Sequence, residues 1–150
     1  MKELFSEIEI KAPAEVVWDE LVDFSAYPQW NPFIRRISGK AVVGKRLEVY
    51  LQPPEARGMV FRPTILRLQP NHELRWLGKL WIGGLFDGEH IFTIEQLSEN
   101  HVRFIQREVF TGLLVPLLRG TLRKTLNGFN EMNRALKERA ERRAQTAQHA

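Results

Sequence analysis

Hydrophobic and polar residues change period along this chain, and the changes mark out its elements. Residues 4–10 alternate, with Ser6, Ile8 and Ile10 on one side and Glu7 and Glu9 on the other, the pattern of a half-buried strand. Pro13 suits the first position of a helix, where its missing N–H has no partner, and Glu15 follows where the helix dipole favours a carboxylate. Ala14, Val17, Trp18 and Leu21 form the apolar stripe of that helix. Pro28 and Pro32 disfavour helical geometry in Tyr27 and Asn31, so residues 24–32 read as a short helical turn and a bend.

Sheet-like segments follow at 34–38, 46–51, 59–68, 74–81, 86–97 and 102–110, separated by turn residues such as Gly39, Gly44, Asn71, Gly83-Gly84 and Asn100. Pro63 lacks a donor and puts its segment on an edge or at a bulge. Short connections imply antiparallel neighbours. From Val115 to about Arg143 the pattern becomes helical, with Leu118, Leu122, Leu126, Phe129, Asn133 and Leu136 on one face. Gly120 and Gly128 each cost about 1 kcal/mol inside a helix, which points to a close backbone approach or a kink. Helix, antiparallel sheet and long helix make an α+β fold. The expectation is one domain over residues 1–143, with 144–150 as a frayed tail lacking an apolar stripe.

Alternation also predicts which side chains point inward. In the segment from Phe86, one face carries Phe86, Gly88, His90, Phe92 and Ile94, and the other is dominated by Asp87, Glu89, Thr93 and Glu95. In the next segment Val102, Phe104, Gln106, Glu108 and Phe110 oppose His101, Arg103 and Arg107. Two polar residues, Gln106 and Glu108, therefore share an apolar cup with His90. A buried Glu108 needs a compensating donor or cation, and His90 and Arg62 are the candidates. The group is either a polar floor that orients a ligand or moves a proton, or an internal hydrogen-bonded pair that fixes sheet register. Trp30, Phe33, Trp76, Phe92, Phe104, Phe110 and Phe129 either line a cavity or pack a core.

Composition narrows the chemistry. The 150 residues, 43% hydrophobic, suffice for a substantial core. The chain has no cysteine, which rules out disulfides and thiol catalysis. Its four histidines lack ligand spacing, so no metal site is expected, and no nucleotide-binding or nucleophile-elbow motif occurs. No cofactor is implied. Residues 119–143 hold eight Lys/Arg against three Glu, an excess of five within a net charge of +4. That surplus reads as a solvated helix face rather than a nucleic-acid contact, because no aromatic residue interleaves the basic ones after Phe129. The charged N-terminus lacks a signal peptide's apolar core and no run reaches transmembrane length, so a cytoplasmic protein without integral membrane association is expected.

Several segments together resemble the SRPBCC (START-like) superfamily, in particular its polyketide cyclase/dehydrase-like branch. They are I-K-A-P-A-E-V-V-W-D-E-L-V-D-F-S-A-Y-P-Q-W-N-P-F-I at 10–34, G-E-H-I-F at 88–92, R-E-V-F-T-G-L-L-V-P-L-L at 107–118 and G-F-N-E-M-N-R-A-L-K at 128–137. The resemblance implies a helix-grip fold, a seven-stranded antiparallel sheet curled around the long C-terminal helix, with two short helices after the first strand. It also implies an apolar cavity between sheet and helix. That cavity would be lined by Trp76, His90, Phe92, Phe104, Gln106 and Glu108 from the sheet and by Leu122, Leu126 and Phe129 from the helix, with Trp30 and Phe33 near one end. Binding of a small hydrophobic ligand, such as a lipid, quinone, sterol or polyketide, is the function this implies. The alternatives are a cyclase or dehydratase using Glu108 or His90 as general acid/base, and a protein-interaction or chaperone-type module with a filled interior.

Overall fold

The computed structural model describes residues 1–80 and 83–148. Strand β1 (Lys2–Ile10) leads into helix α1 (Ala14–Val22), a 3-10 turn (Phe24–Ala26) and a four-residue helix α2 (Tyr27–Trp30). Strands β2 (Ile34–Ser38), β3 (Glu48–Leu51), β4 (Met59–Phe61), β5 (Thr64–Gln69), β6 (Glu73–Leu80), β7 (Phe86–Ser98) and β8 (His101–Thr111) follow. A second 3-10 turn (Val115–Leu117) then enters the long helix α3 (Arg119–Gln148). The α+β plan and the two short helices after β1 are as expected.

The sheet differs from the single seven-stranded one expected. Among the described residues, eight strands form a five-stranded antiparallel sheet in the order β1-β8-β7-β6-β5 and a three-stranded sheet in the order β2-β3-β4. Pro63 is the physical reason. The stretch expected as one strand over 59–68 breaks at Arg62-Pro63, and its halves, β4 and β5, join different sheets. The sheets still meet through backbone: Gly44 N–H bonds Ile65 O at 2.8 Å, Ile65 N–H bonds Lys45 O at 3.0 Å, and Leu47 N–H bonds the Pro63 carbonyl at 2.8 Å. Proline lost its donor here but kept its acceptor in use.

Proline's influence on its predecessor is overridden once. Tyr27 is helical (φ −53°, ψ −40°) although Pro28 follows, whereas Asn31 before Pro32 is extended (ψ 114°). Tyr27 is completely buried and its hydroxyl donates to the Leu21 carbonyl, so tertiary packing holds it against the local preference. Burial pushes the Tyr27 hydroxyl pKa far up, and the carboxylates of Asp23 and Glu20 add to that.

Helix α3 lies across the sheet with Leu122, Phe129, Met132, Leu136 and Ala140 buried. Residues 144–148, expected to fray, continue the helix, because Ala144 packs into the core. The predicted stripe of α1 is buried as well, and Glu20 beside it bonds Arg139 on α3 and accepts from Arg143 at 3.3 Å. Trp81, expected in a strand, and His149 lie outside the described residues.

Candidate functional site

The interior divides into a packed half and an open half. In the packed half Trp76, Phe92, Phe104 and Phe129 are fully buried, the first three in a row of rings and Phe129 against His90 at 4.9 Å. Trp76 meets Phe92 at 5.1 Å between centroids, and Phe92 lies 6.3 Å from Phe104. The open half is a cavity of about 240 Å³ between the two sheets and the start of α3. Strands β6 to β8 supply Gly78, Phe86, Gly88, His90, Glu108 and Phe110, strands β3 and β4 supply Leu51, Met59 and Phe61, and Phe33 precedes β2. Helix α3 contributes Thr121, Leu122 and Thr125, with Leu118 just before it.

Of the residues expected at the site, Phe33, His90, Glu108 and Leu122 line this cavity. Gln106 sits one layer behind them, fully buried. Trp76, Phe92, Phe104 and Phe129 belong to the packed half. Leu126 faces a separate groove of about 470 Å³ at the surface beside β1, where Lys2, Pro116, Arg119 and Arg123 also lie. Leu122 borders both spaces and is the partition between them. Trp30 packs edge-on against Tyr27 at 5.1 Å, outside the cavity.

Several lining residues escaped the sequence reading. Thr121 and Thr125 belong with Leu118 and Leu122 to an i, i+3, i+4, i+7 face, so their signal was helical period carried by hydroxyl residues. Gly78 and Gly88 are paired across β6 and β7. A Cβ on Gly78 would come within 2.9 Å of the Phe61 ring, and one on Gly88 within 3.2 Å of the Phe110 ring. Bare backbone at both positions makes room for the Phe61 and Phe110 rings that wall the cavity, and two inward-facing glycines in neighbouring strands were the available signal.

The floor is a buried polar chain. His90 Nδ1 lies 3.1 Å from Glu108 Oε2, with side-chain exposures of 2% and 12%. Arg62, the other candidate partner, bonds Glu48 at 3.2 Å on the surface instead. His90 Nε2 lies 2.9 Å from Gln106 Oε1. Gln106 Nε2 donates to Asn133 Oδ1 at 2.7 Å and to the Phe129 carbonyl at 3.4 Å. Asn133 Nδ2 donates to Ser6 Oγ at 2.8 Å, and the Ser6 hydroxyl donates to Asn130 Oδ1. The chain thus joins β7, β8, α3 and β1.

Donor and acceptor rules fix where the protons lie. A backbone carbonyl only accepts, so the Gln106 amide must turn its NH2 to Phe129 and Asn133 and its oxygen to His90. His90 Nε2 must therefore carry a proton. The short contact from Nδ1 to Glu108 needs a second proton, held either on the ring or on the carboxyl. The contact ties ring and carboxyl together as one hydrogen-bonded pair. The imidazole is further held by stacking on Phe92 at 4.1 Å and by the Trp76 ring edge at 5.7 Å. Chemically, this places a proton that can move to or from a bound molecule through Glu108.

Among the described residues, no helix is long and apolar enough to cross a membrane. No curated protein matches the chain. Among solved structures, a START superfamily protein from Mycobacterium smegmatis superposes with a TM-score of 0.71 at 24% identity, over 93% of this chain and 97% of its own. The Zhui aromatase/cyclase of Streptomyces gives 0.73 at 16% identity, over 95% and 94%. A hypothetical protein of Helicobacter pylori gives 0.74 at 17%, over 93% and 88%. The sequence family described as polyketide cyclase / dehydrase and lipid transport matches residues 1–141, nearly the whole chain. The chain belongs to that family, and its fold is that of the START superfamily protein it superposes on.

Proposed function

We propose that this protein encloses a small apolar ligand in the cavity between its sheets and α3. The observation that carries the reading is the cavity itself: aromatic and aliphatic walls open over a polar floor made by His90 and Glu108. Burial of ligand carbon against these walls, at about 25 cal/mol per Å², supplies the affinity, and the floor fixes orientation. At about 240 Å³ the space lies below the roughly 300–1,000 Å³ of pockets for drug-sized ligands. That favours a compact quinone-like or polyketide-derived ring over a sterol or a full acyl lipid. A module with a filled interior is the reading the cavity disfavours.

Native mass spectrometry of the purified chain, followed by denaturing extraction, tests the proposal. A stoichiometric apolar adduct is the expected result. An adduct-free spectrum, together with no thermal stabilisation by any compact hydrophobic probe, would sink it.

A second reading, an enzyme of the cyclisation or dehydration type, is favoured by the shared proton at the cavity floor. Glu108 would exchange that proton with the ligand, and His90, with both nitrogens engaged, would act as a positioning residue behind it. Glu108→Gln should then abolish turnover, whereas a binding protein would lose only some affinity.

A further inference from the structure

We infer that the cavity selects uncharged ring ligands carrying a hydroxyl donor, and rejects anions of the same shape. The inference rests on the cavity being the ligand site, as proposed above, and deepens that reading by naming the class of ligand.

Charge supplies the first step. Among the described residues no Lys or Arg lines the cavity, and the ionisable ones that do are His90 and Glu108. A buried carboxylate or phosphate finds no Lys or Arg to pair with there, and the floor presents it with the Glu108 carboxyl, one oxygen of which is engaged with His90. Burying an unpaired charge is far more costly than burying a hydrogen-bonded neutral group.

Hydrogen-bonding capacity supplies the second. His90 has nothing left to offer, since Nε2 faces Gln106 and Nδ1 faces Glu108. Glu108 uses Oε2 for His90, while Oε1 has no bond to a described residue. Wherever the shared proton rests, Oε1 remains an acceptor. The Thr125 hydroxyl spends its proton on the Thr121 carbonyl at 2.9 Å and, while that bond stands, offers a ligand only its lone pairs, and Thr121 is solvent-exposed at the rim. The enclosed polar groups therefore call for a ligand that donates.

Shape supplies the third. The rings of Phe61 and Phe110 sit over the bare backbone of Gly78 and Gly88, and Phe86 stacks on Phe110 with centroids 5.2 Å apart and planes 12° apart. A flat ring can lie against such an aromatic wall.

Titration calorimetry of the purified 150-residue chain at neutral pH with 2-naphthol, 2-methoxynaphthalene and 2-naphthoate separates the steps. The expected result is 2-naphthol binding about ten-fold or more tighter than the methyl ether, which lacks the donor, and 2-naphthoate binding weakest. In Glu108→Leu the naphthol should fall to the level of the ether while the ether is little changed. If that variant does not fold, the three wild-type affinities still decide. Equal affinity of naphthol and ether, or naphthoate binding as well as naphthol, would overturn the selectivity and leave the cavity as the ligand site. Binding by none of the three would overturn both.

Discussion

Helix α3 rests directly on the ring of Phe33 at Gly128: a Cβ built on this glycine would lie 2.3 Å from Phe33 Cδ1. The glycine that a propensity scale penalises thus lets the helix approach a residue that walls the cavity and meets Phe129 edge-on at 5.6 Å. At Gly120, in the first turn, a Cβ would meet nothing within 4 Å. The two positions should respond oppositely to the same change. Gly128→Ala is expected to destabilise by about 1–3 kcal/mol through overpacking, despite its better helix propensity. Gly120→Ala is expected to stabilise by up to about 1 kcal/mol. Urea denaturation of both variants checks this, and a Gly128→Ala protein as stable as the parent would contradict the close approach.

Asn133 is the middle of the polar chain, accepting from Gln106 and donating to Ser6. Asn133→Leu keeps the volume roughly constant but leaves a buried Gln106 proton with only the longer bond to the Phe129 carbonyl. A loss of about 1–3 kcal/mol is expected, the cost of an unsatisfied buried donor. Because Ser6 loses its own partner in the same step, Ser6→Ala should cost less in the Asn133→Leu background than in the parent. Strict additivity in that double-mutant cycle would show that the chain is not a coupled unit. A changed His90 ring-nitrogen shift by NMR would register the freedom returned to Gln106.

The polar floor was legible because a strand has a period of two. Phe86, Gly88, His90 and Phe92, and Phe104, Gln106, Glu108 and Phe110, face inward together, and a slip of one residue would have turned every one of them out. The i, i+4 spacing of Phe129 and Asn133 likewise put Asn133 on the buried face of α3. What alternation cannot convey is volume. Trp76, Phe92, Phe104 and Phe129 share the inward face with Gly78, Gly88 and Glu108, yet the first four close the interior and the last three border its opening. That division depends on how the sheets curve and which side chains meet across them. The split at Pro63 was half legible: the missing donor marked a disruption, but the destination of the chain beyond it is set by pairing with β6 and with residues 45–47.

Glu141 fastens the outer half of α3 to the end of β1. Its Oε2 accepts from the Lys11 backbone N–H at 2.8 Å and from Lys137 at 2.6 Å, and Lys137 also reaches the Glu9 carbonyl. Burial pushes the carboxyl pKa up, but the Lys11 N–H and the Lys137 ammonium outweigh it and hold Glu141 below its usual 4.5. A carboxyl with a lowered folded-state pKa contributes its stability above the ordinary value and loses it as pH falls through the folded one. The gap in stability between the parent and Glu141→Gln should therefore be full near neutrality and close progressively below about pH 4.5. The pair is partly exposed, so the gap should stay under about 1 kcal/mol and shrink in high salt. Denaturant melts across the acid range would show this, and a gap that widened on acidification would refute the assigned direction.

Thr125 offers a way to close the cavity without disturbing its floor. It lines the space, is 8% exposed, and directs its hydroxyl to its own helix at Thr121. Leucine at this position has better helix propensity by a few tenths of a kcal/mol and would place additional carbon into empty volume. Thr125→Leu should therefore match or exceed the parent in thermal stability while losing affinity for any cavity ligand by about ten-fold or more. Stability and binding would then move in opposite directions, which separates an occupied cavity from a packing defect. Thermal melts alongside calorimetric titration give both quantities on one preparation. A stable variant that binds as tightly as the parent would place the ligand elsewhere on the molecule.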